Sequence, residues 1–510
     1  MAPSLLAWNH YLRESVCVVT AGPEDACERA VQHGLYGSAG SDRHFLRRDI
    51  GWDSLIVMAS FPRLQKRAVK FVSTFPHGFA RVGVNRGFVR NFITLSGGSI
   101  LAHGFNLALA PLITRLYLPN NLGQLALFAA FLNVALVAAS LRYELAIVSA
   151  RSDREAAQLT LGSVLLALPV SAFGALTFYG LVRNGTLGYG NMPLYAAVLI
   201  IPALIFTAAF SALRYWLLRK ERFGLISHGT ILQNAGRAVV QAGFGCLGPY
   251  TAGLLAGEVI GRCAGITRML RSTWPALSRE LAGSNFHQLV ETLKRNRRFA
   301  VYSLPSSLLD TVAASISLPL IVFLYGLNAG GSYALVFRVL ALPAVLITAN
   351  VADTFHSSAT LILKQNPLAL PGLVRRMAAI LLVLGVCPAA ILVALGPRLF
   401  EWVFGSKWLQ AGEMAAWMAP WFLAQFIVNP LSRLVLVVGR QQVKFIYDII
   451  TFGGTIAVFV IAHHRQWPVM TAIGALAALK TVTYAIFYLL LLDISSTHVQ
   501  HARHAVEELP

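Results

Sequence analysis

The sequence predicts an all-α polytopic membrane protein of about 12 transmembrane helices, in two six-helix lobes related by a pseudo-two-fold along the membrane normal. Three observations predict it. First, 56% of the 510 residues are hydrophobic and 13% are charged, against about 25% charged in soluble domains. The mean hydropathy is +0.62. Second, apolar runs of about 20 residues recur along the chain, and at about 1.5 Å per residue each can cross a ~30 Å hydrocarbon layer. Third, the stretch PLITRLYLPNNLGQLAL at Pro111–Leu127 returns 208 residues later (319 minus 111) as PLIVFLYGLNAGGSYAL at Pro319–Leu335. Nine of the seventeen positions are identical without a gap, among them Pro111/Pro319, Tyr117/Tyr325, Asn120/Asn328 and Gly123/Gly331. Pro, Tyr, Asn and Gly have distinct backbone and hydrogen-bonding roles, so their shared spacing reads as one membrane unit written twice.

Residues 1–57 are polar and without pattern, and their only apolar run, Val16–Thr20, is followed by Glu24 and Asp25. That is too short for a signal peptide. A disordered leader is expected, with Met58 as the working start and a small cytosolic module as the alternative. Residues 58–91 carry Arg63, Lys66, Arg67, Lys70, Arg81, Arg86 and Arg90 and are expected at the cytoplasmic surface. Twelve spans follow, at about 92–118, 122–148, 159–182, 193–217, 225–247, 250–270, 299–325, 330–356, 374–395, 412–438, 443–463 and 467–492. Residues 92–270 form a first lobe, 271–298 a charged cytoplasmic linker, 299–492 a second lobe and 493–510 a cytoplasmic tail. The hairpin in each copy of the repeat is expected to turn at its Asn and Gly. Alternate loops separate by charge. One side holds Arg151, Arg154, Arg214, Arg219, Lys220, Arg222, the stretch Arg268–Arg298, Lys364, Arg375, Arg376, Arg440 and Lys444, and the other holds little beyond Arg183, Arg398, Lys407 and Arg465. The positive-inside tendency then puts both termini in the cytoplasm. An even number of spans separates the repeats, so both point the same way. One outer loop, Pro397–Gly412, is aromatic (Phe400, Trp402, Phe404, Trp408) and is expected to lie in the outer interface.

The formal net charge of +20 would suggest nucleic acid in a soluble protein. Here the bases sit between apolar runs, so they set topology and meet anionic lipid. Nucleic acid is not an expected partner. The five cysteines show no metal or disulfide spacing. Gly243–Gly248 matches GxGxxG by letter but follows an apolar helix and not a strand. The adjacent His463 and His464 are read as interface residues. No catalytic residue and no metal site is expected.

Ionisable residues inside spans are costly, about 2.5–3.5 kcal/mol at the bilayer centre, and should face a wet cavity or a partner. Arg115, Arg142, Arg237, Arg338 and Arg433 occur at several depths, an arrangement suited to an anionic group crossing the bilayer. Glu144, Glu258, Arg262 and Asp310 are candidates for charge pairing or ion coupling. Arg142 and Glu144, two apart, should point to different helix faces and need partners elsewhere. Glu258 and Arg262 are an i,i+4 pair. Gly253, Gly257, Gly261 and Gly265 recur every four residues on the same helix, clearing one face for close backbone approach. A packing seam with a neutralised pair and a role in ion coupling both remain open.

Several motifs resemble one family. LRYELAIV at 141–148 followed by DREAA at 153–157, Arg338–Pro343, Phe404–Trp408 with Ala411-Gly412, Ala419–Trp421, Pro430–Ser432, Gly439–Gln441, and Tyr215-Trp216 with Arg219–Phe223 are similar to bacterial polysaccharide flippases. These are the Wzx-type, polysaccharide transporter branch of the multidrug/oligosaccharidyl-lipid/polysaccharide (MOP) exporter superfamily. The resemblance spans about residues 85–490. It implies a V-shaped pair of lobes around a central cationic cavity, in the bacterial inner membrane. It implies transfer of a polyprenyl (undecaprenyl) diphosphate-linked oligosaccharide from the cytoplasmic to the periplasmic leaflet by alternating access. Expected partners are that lipid-linked oligosaccharide, membrane lipid, and a glycan polymerase and glycosyltransferases. No cofactor is implied, and H+ or Na+ coupling is left open. A drug/cation antiporter of the same superfamily and a membrane-embedded glycan polymerase or ligase are the competing readings.

Overall fold

The computed structural model describes residue 104 and residues 108–343, 348–365 and 367–507. The expectations for residues 1–57 and 58–91, and for most of the first span, lie outside the described residues. Among the described residues the regular structure is helical, with no strand.

The first lobe comprises α1 (Ala110–Leu116), α2 (Pro119–Ala139), the single turn α3 (Ala146–Ser149), α4 (Asp153–Arg183), α5 (Tyr195–Arg219), α6 (Phe223–Leu247) and α7 (Thr251–Leu281). After α8 (Phe286–Arg295), the second lobe runs through α9 (Leu304–Ser315), α10 (Ser317–Pro343), α11 (Ala349–Gln365) and α12 (Leu370–Phe404). It ends with α13 (Leu409–Leu431), the short α14 (Leu434–Val437), α15 (Gln441–His464) and α16 (Val469–Glu507). Among the described residues, eight helical segments are long and apolar enough to cross a membrane. One of them, Phe299–Ala341, is 43 residues long, about two spans' worth, and is broken inside α10 at Gly326 (φ 82°). α6 and α7 are absent from the eight, because polar and charged groups interrupt their apolar surfaces.

The repeat explains its own conservation between the two halves. In the first copy the chain leaves the helix at Tyr117 (φ −115°, ψ 156°). It stays extended at Leu118 and re-enters at Pro119, whose fixed φ suits a helix start. The Leu118 N–H donates to Asn121 Oδ1 at 3.2 Å, closing the new terminus. In the second copy the break falls at the matching residue, Gly326. The turn is therefore not at the Asn and Gly, as the sequence suggested: Asn120, Asn328, Gly123 and Gly331 all lie within helix. The glycines serve contact instead. A Cβ on Gly123 would run into the carbonyl of Leu327, and one on Gly331 into the carbonyl of Pro119. Those two contacts exchange under the 208-residue shift, so α2 and the second part of α10 cross as a self-complementary pair.

The C-terminal end of α2 departs from expectation. The span predicted as unbroken over 122–148 stops at Ala139, and Leu141 and Arg142 both take left-handed backbone (φ 49° and 64°). A 3-10 turn over Tyr143–Leu145 follows. The aromatic loop departs too. Residues 397–404 continue α12, Gly405 (φ 106°) breaks it, and Phe400, Phe404 and Trp408 are buried. The Trp408 indole N–H donates to Thr114 O at 3.0 Å. The loop packs onto the end of α1, so these three aromatics belong to the core; Trp402 alone of the four is exposed. The linker is helical and anchored to the first lobe. Arg154 on α4 donates to Gly283 O at 2.9 Å and Gln288 Oε1 at 3.2 Å, and Thr292 on α8 donates to Gln158 Oε1 at 2.7 Å.

Candidate functional site

Arg237, Glu258 and Arg262 form one cluster. α6 and α7 pack along the glycine seam, where a Cβ on Gly261 would sit 2.5 Å from the Arg237 Cβ and 2.8 Å from its Cα. One on Gly257 would sit 3.2 Å from Arg237 O. The missing side chains on α7 thus bring the Arg237 backbone against the helix that carries Glu258: the seam is packing, and it builds the ion cluster. Glu258 is 4% exposed. Arg237 Nη1 lies 3.2 Å from its Oε2, and Arg262 Nη2 lies 2.6 Å from its Oε1. Each guanidinium also has a neutral partner: Arg237 Nη2 donates to Asn234 Oδ1 at 3.0 Å and Arg262 Nη1 to Thr207 Oγ1 at 2.5 Å. Arg338, half-buried on α10 of the second lobe, feels the charges of both Arg237 and Glu258. Two guanidiniums therefore contact one carboxylate and a third lies within electrostatic reach of it, a local excess of positive charge. Glu258 is seven residues into α7 and Arg237 ten residues from the adjoining end of α6, depths of about 10 and 15 Å at the α-helical rise.

The other candidates lie apart from this cluster. Arg142 and Glu144 pair with each other at 3.5 Å, contrary to the expectation that they face apart. The periodicity argument assumed continuous helix, and the left-handed residues at 141 and 142 swing Arg142 round to the Glu144 side. Glu144 is buried and accepts from Ser140 Oγ. Arg142 Nη2 also donates to Ser307 Oγ on α9 at 2.7 Å, linking the two lobes. Asp310 is exposed on α9, three residues beyond Ser307. Arg115 is exposed at the end of α1, 3.5 Å from Trp402 O, at the limit of a hydrogen bond. Arg433 is exposed and lines a cavity within the second lobe. The neutral partners Asn234, Thr207 and Ser307 were not legible as site residues in the sequence, because they carry no formal charge. Their signal was a polar side chain at helical spacing from a charged one, as in Asn234 three residues before Arg237. Among the described residues no group of three or more His, Cys, Asp and Glu could hold a metal ion.

The profile of a family described as polysaccharide biosynthesis protein matches residues 112–413, more than half of the chain. The chain belongs to this family. Its fold is that of MOP-superfamily transporters. It superposes on an inward-facing multidrug resistance MATE family transporter of that superfamily with a TM-score of 0.60, at 15% identity, covering 82% of this chain and 99% of the other. It is also similar to a MOP-superfamily transporter from Pyrococcus furiosus described as having a binding pocket of reverse polarity. There the TM-score is 0.52 at 13% identity, over 80% and 96% of the two chains. No curated protein matches the sequence. The chain is thus a multi-span helical protein of a polysaccharide biosynthesis family, with the fold of MOP-superfamily transporters.

Proposed function

We propose that the protein is a flippase that moves a polyprenyl-diphosphate-linked oligosaccharide between membrane leaflets. The carrying observation is the excess of guanidinium over carboxylate around Glu258, contributed by α6, α7 and α10. Arginine presents a planar fork of donors matched to phosphate oxygens. In the resting cluster Glu258 occupies two of those forks, and an entering diphosphate would compete with it as counter-ion. A bound anion would also draw on Arg338 from the second lobe. That gives the cargo differential contact with the two lobes, as any conformational shift requires. An exporter of organic cations would need the opposite balance of charge. The cytoplasmic-to-periplasmic direction, the bacterial inner membrane, cytoplasmic termini and cooperation with a glycan polymerase and glycosyltransferases belong to the same proposal.

The test is leaflet exchange of a labelled lipid-linked oligosaccharide in proteoliposomes. Exchange should exceed that of protein-free vesicles, and Arg237→Ala and Arg338→Ala should each slow it at least about tenfold, the effect of losing ~1.4 kcal/mol of charge-assisted hydrogen bonding. Exchange equal to protein-free vesicles would remove the flippase reading. Unchanged exchange in both variants would remove the arginines from it.

A further inference from the structure

A cavity of about 680 Å³ lies within the second lobe, and no residue of the Glu258 cluster lines it. It is bounded by α10, α11, α13, α14 and α15. Its polar lining includes Thr348, Gln425, Asn429, Ser432, Arg433 and Lys444. The volume falls in the range of sites for small organic ligands. Two features separate it from a packing defect. Among the described residues the Thr348 hydroxyl and Gln425 Oε1 are shielded from solvent yet have no hydrogen-bond partner; buried polar atoms normally find one, so such atoms mark a place where a partner belongs. The charge at the rim is also one-sided. Arg433 and Lys444 both border the cavity, while Asp448, the partner of Lys444 at 2.6 Å, does not line it. The N-terminus of the 24-residue α15, which begins at the lining residue Gln441, has no side-chain cap. It adds partial positive charge to that side of the cavity.

We propose that this cavity is a binding site for an anionic, polyhydroxylated group. Arg433, Lys444 and the α15 terminus would hold the anionic end, while Gln425, Asn429, Ser432 and Thr348 would meet hydroxyls. Amide and hydroxyl side chains can donate and accept at once, as sugar hydroxyls do. The acidic saccharide of a lipid-linked cargo and the glycerol phosphate of phosphatidylglycerol share this chemistry. The cavity stands on its own geometry, so the binding test does not depend on transport by the Glu258 cluster.

The experiment uses the full-length protein purified in a non-ionic detergent. Saturation-transfer NMR would follow binding of cellobiouronic acid, with cellobiose as the neutral isostere. The acid should bind at least about tenfold more tightly than cellobiose. Gln425→Leu and Arg433→Ala should each weaken it about tenfold, while Arg376→Ala, a change of charge on exposed α12, should leave it intact. In nanodiscs, phosphatidylglycerol retention that falls in the same two variants, without saccharide binding, would assign the site to lipid and keep the chemistry. Binding of neither ligand, or binding indifferent to Gln425→Leu and Arg433→Ala in folded protein, overturns the proposal. A binding-positive, transport-negative result would remove the flippase reading alone.

Discussion

Glu258 holds two guanidiniums and is almost wholly buried, so its loss should be felt first as instability. Removing one member of a buried ion network leaves charges without compensation, at a cost of about 3 kcal/mol or more. Glu258→Ala should therefore lower the melting temperature in detergent by several degrees. Inorganic pyrophosphate should recover more of that loss in the variant than in the wild type, because an anion supplies the missing counter-charge. A variant as stable as the wild type would show that Glu258 does not organise the cluster. At this scale the sequence named the right charges but could not say which of them meet. Glu258 and Arg262 were legible, because one helix fixes an i,i+4 pair. Arg237 was legible as a cation and not as the second partner of Glu258, since that contact depends on how closely α6 and α7 approach. Arg142 and Glu144 were misread because two consecutive non-glycine residues in left-handed backbone, at about 1–2 kcal/mol each, leave no signature in composition.

Helices α6 and α7 show how an element's surface decides the site. The four-residue glycine period on α7 announced a close crossing, and the structure gives it a purpose: Gly257 and Gly261 both touch Arg237. Gly261→Ala adds a methyl within 2.8 Å of the Arg237 Cα and backbone N, so one helix must move. Overpacking of this kind costs about 1–3 kcal/mol. The expected result is modest destabilisation with a disproportionate loss of cargo exchange, because the Arg237–Glu258 contact at 3.2 Å has little slack. Gly243→Ala, where a Cβ meets nothing within 4 Å, is the control on α6 and should behave as wild type. Equal exchange in Gly261→Ala and Gly243→Ala would separate the seam from function. The aromatic loop 397–412 was less legible. Aromatic side chains suit both a membrane interface and a core, and only the partner surface on α1, which is distant in sequence, selects the core.

Across the whole molecule, the duplication was the most legible feature and its mechanical meaning the least. Nine shared letters marked two equivalent halves, but not that the halves cross at those letters. Sequence similarity reports equivalence between segments and carries no information on whether the equivalent segments touch. The structure shows that they do, through contacts that exchange under the repeat shift: Gly123 against Leu327, and Gly331 against Pro119. Such a crossing near a pseudo-two-fold is a natural pivot for two lobes, since it tolerates rotation while both backbones stay in contact. Its symmetry makes a strict demand. Gly123→Ala and Gly331→Ala each drive a Cβ into the opposing carbonyl, so each should cost about 1–3 kcal/mol, and the two losses should match within about 0.5 kcal/mol. The double variant should fall short of the sum, because the helix separation forced by one methyl makes room for the other. Thermal unfolding of the three variants in one detergent measures all of this. A large loss for one glycine beside a neutral result for the other would mean that the two halves do not share an axis there, and that the pivot belongs to one lobe alone.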